Sequence, residues 1–126
     1  MFAGLDIFRL SFAMTAHSGQ QQAVTAANIA NADTPGFRAR TIDGFSDLVE
    51  RGSSPALRVT RPGHLSRSGA SGQAKLRDAG GQAAPNGNTV SLEREMVNAT
   101  QAVQEQARAL AIYQHGLSIL RLAGGR

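Results

Sequence analysis

The chain has 126 residues, of which 13 are Lys or Arg and 9 are Asp or Glu, so its formal charge is +4 with histidine neutral. This length corresponds to one small domain. The absence of cysteine excludes a disulfide framework, a thiolate metal site and a cysteine nucleophile, and the low aromatic content of 5% limits the size of any compact core.

The first predicted element is a helix over residues 4–31. Its apolar side chains fall into two stripes, and one partner helix cannot cover both. We therefore expect one stripe to pack within the chain and the other to contact another molecule. The predicted inner stripe contains Leu5, Phe8, Phe12 and Ile29, and the predicted outer stripe contains Ile7, Leu10, Met14 and Val24.

The same N-terminal segment is not a secretory signal peptide by its pattern. Asp6 and Arg9 interrupt the apolar residues, so no continuous apolar core of roughly 7 to 15 residues is present. The uncharged stretch over 10–32 is too polar to span a bilayer. We expect a soluble protein that reaches any site outside the cytoplasm by another route.

A turn is predicted directly after the first helix. Asn31 suits a left-handed position at the helix end, and Asp33 suits an Asx turn. Pro35 and Gly36 fit the two central positions of a type II turn, which would present Phe37. The turn motif consists of Asn28, Asn31, Asp33, Thr34, Pro35, Gly36 and Phe37.

The middle of the chain is predicted to be a flexible basic loop over residues 52–88. Gly, Ser and Pro supply 15 of these 37 residues. The four large aliphatic side chains would contribute roughly 6 to 12 kcal/mol on burial, whereas ordering the backbone costs about 1 to 2 kcal/mol per residue. A short extended piece at 57–60 and a turn at 62–63 are the local features expected within it.

A nucleic-acid surface is one interpretation of the basic residues between 38 and 77. Against it, eight basic residues are spread over forty positions, and no aromatic platform or recognition helix accompanies them. Nucleic acid is therefore not the expected partner. The eight residues are Arg38, Arg40, Arg51, Arg58, Arg61, Arg67, Lys75 and Arg77.

The last predicted element is a helix over residues 91–122. Apolar side chains recur every seven residues with a second set three positions later, which is the spacing of a coiled-coil seam. The seam residues are Met96, Val103, Leu110, Tyr113, Leu117 and Leu120. Other apolar side chains lie off this seam and are predicted to face other subunits. They are Val97, Ile112, Ile119 and Leu122.

No arrangement of residues predicts catalysis. His17, His64 and His115 are separated from one another, and Glu93 and Glu95 are explained by the positive end of the last helix. Neither a Walker A motif nor a dinucleotide-binding glycine motif occurs. We expect no enzyme activity, cofactor, metal or small-molecule substrate.

The predicted fold is all-α, with long N- and C-terminal helices paired in a coiled-coil-like manner and little or no β-structure. Four segments make up the chain. They are an N-terminal helix at 1–33, a turn and connector at 34–51, the flexible basic loop at 52–88 and a C-terminal helix at 89–126.

Two segments of the chain resemble the bacterial flagellar axial proteins of the rod and hook. The first is AANIANADTPGF at residues 26–37, and the second is NGNTVSLEREM at 86–96 followed by Tyr113-Gln114 and Leu120-Arg121. The resemblance covers about 60 of the 126 residues, in the right order and at both ends. The resemblance implies that N- and C-terminal helices pair and stack into the wall of a hollow tube.

This resemblance implies a structural subunit of the proximal rod of the flagellar basal body, which transmits torque. The implied partners are copies of the chain, other rod proteins, the protein that joins the rod to the membrane ring, and the type III export gate. The implied location is the periplasm-spanning rod, reached without a cleaved signal peptide. Phe8 and Phe12 match a short export element of this family. The alternatives are another short flagellar rod protein, or a small basic nucleic-acid-binding or regulatory protein.

Overall fold

The computed structural model describes residues 2–52 and 74–125, with a long helix at each end. Helix α1 (Phe2–Ala30) is followed by strand β1 (Arg40–Ile42), helix α2 (Phe45–Gly52), strand β2 (Leu76–Asp78) and helix α3 (Leu92–Gly124). The predicted mostly α-helical fold is confirmed. No helix in the described ranges is long and apolar enough to cross a membrane.

Helices α1 and α3 pack against each other in antiparallel orientation. Near the start of α1, the Phe8 ring meets the Tyr113 ring edge-on, with centroids 5.4 Å apart. Further along α1, Gln22 Nε2 donates to Oε1 of Gln106, which lies earlier in α3, at 2.9 Å. Because later residues of α1 meet earlier residues of α3, the two ends of the chain form one long helical pair.

Small and polar residues form the contact face of this pair, which we call the inner seam. Its buried members recur every seven residues on each helix: Ser11, Ser18 and Thr25 on α1, and Glu95, Ala102 and Ala109 on α3. The serine hydroxyls donate to carbonyls of their own helix, so they do not need partners across the seam. Short side chains of this kind allow two helix backbones to approach closely.

A glycine continues the inner seam toward the C-terminal end of α3. A Cβ built on Gly116 would lie 3.1 Å from Cζ of Phe8, which is closer than ordinary packing allows. The Phe8 ring therefore occupies the space that a side chain at position 116 would need.

On α3, the predicted seam is shifted by one position along the helix: Met96, Val103 and Leu110 each directly follow a buried residue of the inner seam. The side chains of Met96, Val103, Leu110 and Leu120 are exposed, and on α1 Phe12 and Ile29 are exposed as well. Tyr113 is 45% exposed, and its ring contacts Phe8 of α1. Phe8 and Leu117 are half-buried, and the side chain of Leu5 lies outside the described residues. The physical reason is size, because large aliphatic side chains in the seam would hold the backbones apart.

Two short strands and a short helix connect the long helices. Strands β1 and β2 pair antiparallel, with Thr41 opposite Arg77. Arg77 Nε also lies 2.9 Å from the buried carboxylate of Asp43, just after β1. Helix α2 was not expected from the sequence, and its Phe45 ring packs on His17 with centroids 5.6 Å apart.

Part of the segment predicted as a flexible loop is held against the helices. Gln20 Nε2 donates to the carbonyl of Ala74 at 3.0 Å, and the residues that follow form β2. Ala84 N donates to Asn88 O, and Gly87 N donates to Ala84 O, which closes a tight hairpin turn. Residues 74–88 of the predicted loop thus carry specific hydrogen bonds, while 53–73, with the predicted extended piece and turn, lie outside the described residues.

Candidate functional site

The turn after α1 has the predicted type II geometry at Pro35-Gly36. Phe37 N donates to Thr34 O at 3.2 Å, and Gly36 has φ of +71°. A positive φ at the third position of the turn is what this turn type requires. The turn therefore reverses the chain toward β1 and places Phe37 at a groove.

Asn31 does not take the left-handed conformation predicted for it. No residue other than glycine has a positive φ in residues 2–52 and 74–125. Instead, Asn31 N donates to the carbonyls of Ala27 and Asn28, and its Nδ2 donates to Ala27 O at 2.8 Å. These bonds satisfy carbonyls of the last helical turn without a left-handed residue.

Asn28 joins the end of α1 to β1. Its Nδ2 donates to Arg40 O at 2.7 Å, and its Oδ1 accepts from Arg40 N at 3.0 Å. The side chain thus makes both hydrogen bonds that a neighbouring strand would make to this residue. Because Asn28 is buried, replacing its amide would leave backbone groups of Arg40 without partners.

Asn88 joins the entry to α3 to the turn after α1. Its Nδ2 lies within 2.7–2.9 Å of the carbonyl oxygens of Asn31, Ala32 and Thr34. Its Oδ1 accepts from Val90 N at 2.8 Å, and the residue is 3% exposed. One buried amide therefore holds two segments that lie more than fifty residues apart in the sequence.

Three further hydrogen bonds, two of them between backbone groups, complete this arrangement, which we call the junction (residues 28–40 and 86–90). Gly36 N donates to Asn86 O at 2.9 Å, and Thr89 N donates to Phe37 O at 3.0 Å. Ala39 N donates to Oγ1 of Thr89 at 2.9 Å. The two segments that carry the family resemblance therefore meet, although the sequence alone did not show that they touch.

From the contacts of the junction, we expect the turn to set the direction of the chain after α1 without affecting the helix content. Replacing Pro35 and Gly36 together by Ala removes the fixed φ of the first and the positive φ of the second. We expect helicity by circular dichroism to stay within about a tenth of the parent value, and hydrogen exchange at Gly87 and Thr89 amides to accelerate. Unchanged exchange at these amides would show that the turn is only a connection.

His17 is buried beside the connector and not free in solvent. Its Nε2 lies 2.8 Å from the carbonyl oxygen of Asp43, and its Nδ1 lies 3.9 Å from Oε2 of Glu105. His17 therefore brings α1 close to both Asp43 of the connector and Glu105 of α3. In the described ranges, no group of three His, Asp or Glu side chains is placed to hold a metal ion.

A groove lies between the second half of α1 and the short sheet. It has a volume of about 490 Å³, and its lining includes Val24, Phe37 and Leu76. Val24 and Met14 are half-buried, so these two members of the predicted outer stripe are partly covered within the chain.

Large apolar side chains cover the outside of the two long helices, a region we call the outer apolar surface. On α1 it contains Ile7, Leu10, Phe12 and Ile29, and on α3 it contains Leu92, Met96, Val97, Val103, Leu110, Ile112, Ile119, Leu120 and Leu122. Phe12 and Leu122 are 78% and 83% exposed. An apolar surface that follows helices of this length is typical of an interaction site.

Comparisons with known proteins agree on one family. Residues 10–38, which contain the turn motif, match the family model described as flagella basal body rod protein. The flagellar basal body rod protein FlgB of Salmonella typhimurium is 37% identical over 110 residues, covering 80% of this chain and 75% of the relative.

Two further relatives bear the same name. The Escherichia coli protein is 42% identical over 88 residues, covering 60% of this chain and 62% of the relative. The Cereibacter sphaeroides protein of strain ATH 2.4.9 is 32% identical over 99 residues, covering 77% of both chains. These similarities do not favour a nucleic-acid-binding or regulatory protein.

Proposed function

The chain belongs to the family of flagellar basal body rod proteins named FlgB, and we propose that its outer apolar surface builds contacts between subunits in the wall of the proximal rod. Members of this family are structural proteins and not enzymes, so the chain is a structural rod subunit. The proposal concerns how its helices assemble.

The observation that supports this proposal is the position of the large side chains. In residues 6–50 and 74–125, the buried hydrophobic residues are all alanines: Ala39, Ala74, Ala102 and Ala109. The larger aliphatic side chains on α1 and α3 are mostly on the outside. Covering one of them fully contributes roughly 1.5 to 3 kcal/mol, so contacts with neighbours can supply apolar free energy that contacts among the described residues do not.

The paired helices also suit a tube rather than a closed oligomer. The exposed apolar side chains of α1 and those of α3 form different faces of the helical pair. One face of a subunit can therefore contact a different face of the next subunit. Contacts of this heterologous kind repeat without closing and produce a helical assembly. A wall built in this way transmits torque through packed side chains along the whole length of each subunit.

Charged substitutions on the outer apolar surface are expected to stop assembly while leaving the chain folded. In the variant Ile112→Asp with Ile119→Asp, each carboxylate would be buried against a neighbour at a cost of several kcal/mol. We expect no rods by electron microscopy and loss of motility, with unchanged helicity of the purified chain. Gln114→Asp is the matched control, and normal basal bodies in the double variant would contradict the proposal.

The location and partners follow from the same proposal. We propose that the subunit lies in the periplasm-spanning rod and contacts copies of itself and other rod proteins. We also propose that it contacts the protein that joins the rod to the membrane ring, and that it contacts the type III export gate during export. Export without a cleaved signal peptide is also part of the proposal.

The export element at Phe8 and Phe12 can be tested apart from assembly. Phe8 is half-buried against Tyr113, whereas Phe12 points away from the inner seam and is almost fully exposed. If the element acts in export, Phe12→Ala reduces secretion at least about tenfold without changing the helicity of the purified chain. Leu10→Ala is the control, and equal secretion of both variants and the parent would remove Phe12 from the export signal.

A further inference from the structure

The junction contains a chemically labile dipeptide, Asn86-Gly87. Gly87 has φ of +81°, and a Cβ at this position would lie 3.4 Å from Cα of Gly36. A residue with a side chain is therefore strained here, and the turn requires glycine. Asparagine is a thermolabile residue, and a following glycine leaves its side-chain carboxamide open to attack by the next backbone nitrogen.

The folded junction holds the two reacting groups in other hydrogen bonds. The Gly87 nitrogen donates to Ala84 O at 2.8 Å, and the carboxamide oxygen of Asn86 accepts from Asn88 N at 3.1 Å. Asn86 itself is exposed, so water reaches it. The attack requires the Gly87 N–H to leave Ala84 O and its nitrogen to reach Cγ, so the rate in the folded chain follows the population of the opened junction.

We propose that Asn86 is a deamidation site that the folded junction protects and the unfolded chain exposes. In this reaction the Gly87 nitrogen forms a bond to Cγ of Asn86 and loses its proton to the departing amide nitrogen, which leaves as ammonia. The product is a five-membered succinimide. Water then opens the ring at one carbonyl to give aspartate or at the other to give isoaspartate, without an oxidant or cofactor.

The product is incompatible with the contacts of the junction. Isoaspartate routes the backbone through Cβ, which displaces the carbonyl of residue 86 that accepts from Gly36 N. It also places a negative charge two residues from Asn88, whose Nδ2 lies within hydrogen-bond distance of three carbonyl oxygens. The change is irreversible because ammonia is lost. A chain that stays unfolded for long therefore loses the turn geometry that joins the ends of α1 and α3.

Peptide mapping by mass spectrometry tests this proposal on the full chain. The chain is incubated at pH 8 and 37 °C in buffer or in concentrated guanidinium, both chosen as standard conditions, and conversion at Asn86 is followed by isoaspartyl methyltransferase labelling. We expect conversion in buffer to be at least about tenfold slower than in denaturant. Asn98, which precedes Ala99, is the internal reference and converts more slowly in denaturant.

Two variants separate the chemistry from the protection. Gly87→Ala slows conversion in denaturant, where folding has no influence. Asn88→Ala opens the junction and raises the rate in buffer toward the rate in denaturant. Equal rates in both solvents, conversion at Asn86 no faster than at Asn98 in denaturant, or an unchanged rate for Gly87→Ala would each overturn the proposal.

Discussion

Ala109→Leu is expected to separate the two long helices and to destabilise the chain by about 1 to 3 kcal/mol. Ala109 is fully buried in the inner seam, where the small residues allow the α1 and α3 backbones to approach. A leucine there must displace a whole helix, because neighbouring seam positions are equally tight. Equilibrium urea denaturation followed by circular dichroism measures the loss, which is a large fraction of the stability of a small domain.

The control for this substitution lies two residues further along α3. Ala111 is exposed, so Ala111→Leu adds the same three carbon atoms outside the inner seam. We expect its free energy of unfolding to stay within about 0.5 kcal/mol of the parent value. Equal stability of the two variants would mean that the helices do not meet at Ala109.

Asn88→Ala is expected to cost about 1 to 3 kcal/mol, because it removes a buried amide that bonds several part-buried backbone groups of the junction. Three carbonyl oxygens lose the Nδ2 donor, and Val90 N loses its acceptor. The loss is measured by urea denaturation, and hydrogen exchange at the amides of Gly36 and Thr89 reports the opening of the junction.

A second substitution at the same position distinguishes the amide donor from the acceptor. Asn88→Asp keeps an oxygen for Val90 N but directs negative charge at three carbonyl oxygens, so we expect it to be at least as destabilising as Asn88→Ala. Asn98→Ala, on the half-buried side of α3, is the control for loss of an amide. A stable Asn88→Asp variant would show that the carbonyl contacts contribute little.

Local sequence signals predicted the long helices and the type II turn. The predicted bounds differ from those of α1 and α3 by at most two residues. Pro35 and Gly36 act through their own backbone preferences, which do not depend on distant residues. Features of this kind follow from the residue type at one position and its immediate neighbours.

The register of the inner seam could not be predicted from hydrophobic spacing alone. In a chain that folds by itself, side chains such as Val103 and Leu110 belong inside, and their heptad spacing indicated such a seam. Here they are exposed, and Ala102 and Ala109 are buried one position earlier. The signal that could have found the seam is the same seven-residue spacing in the small residues.

The junction, the two strands and α2 depend on contacts between distant segments. Strand β1 is bonded by Asn28 on one side and by β2 on the other, and a three-residue strand has no strong sequence signal of its own. Asn88 likewise bonds across the junction, where its side-chain amide reaches the carbonyl of Ala32 just after α1. His17 is separated from the other histidines in the sequence, and its partner in the fold is a carbonyl twenty-six residues away.

We propose that neighbouring subunits cover the outer apolar surface in the rod, and this can be measured directly. Because the chain has no cysteine, single cysteines placed at Val103 and at Ala102 can be labelled selectively with a maleimide. In the purified chain we expect rapid labelling at position 103 and slow labelling at position 102. In isolated basal bodies, we expect the cysteine at position 103 to be labelled as slowly as the one at position 102. Undiminished labelling at position 103 would contradict subunit contacts at this surface.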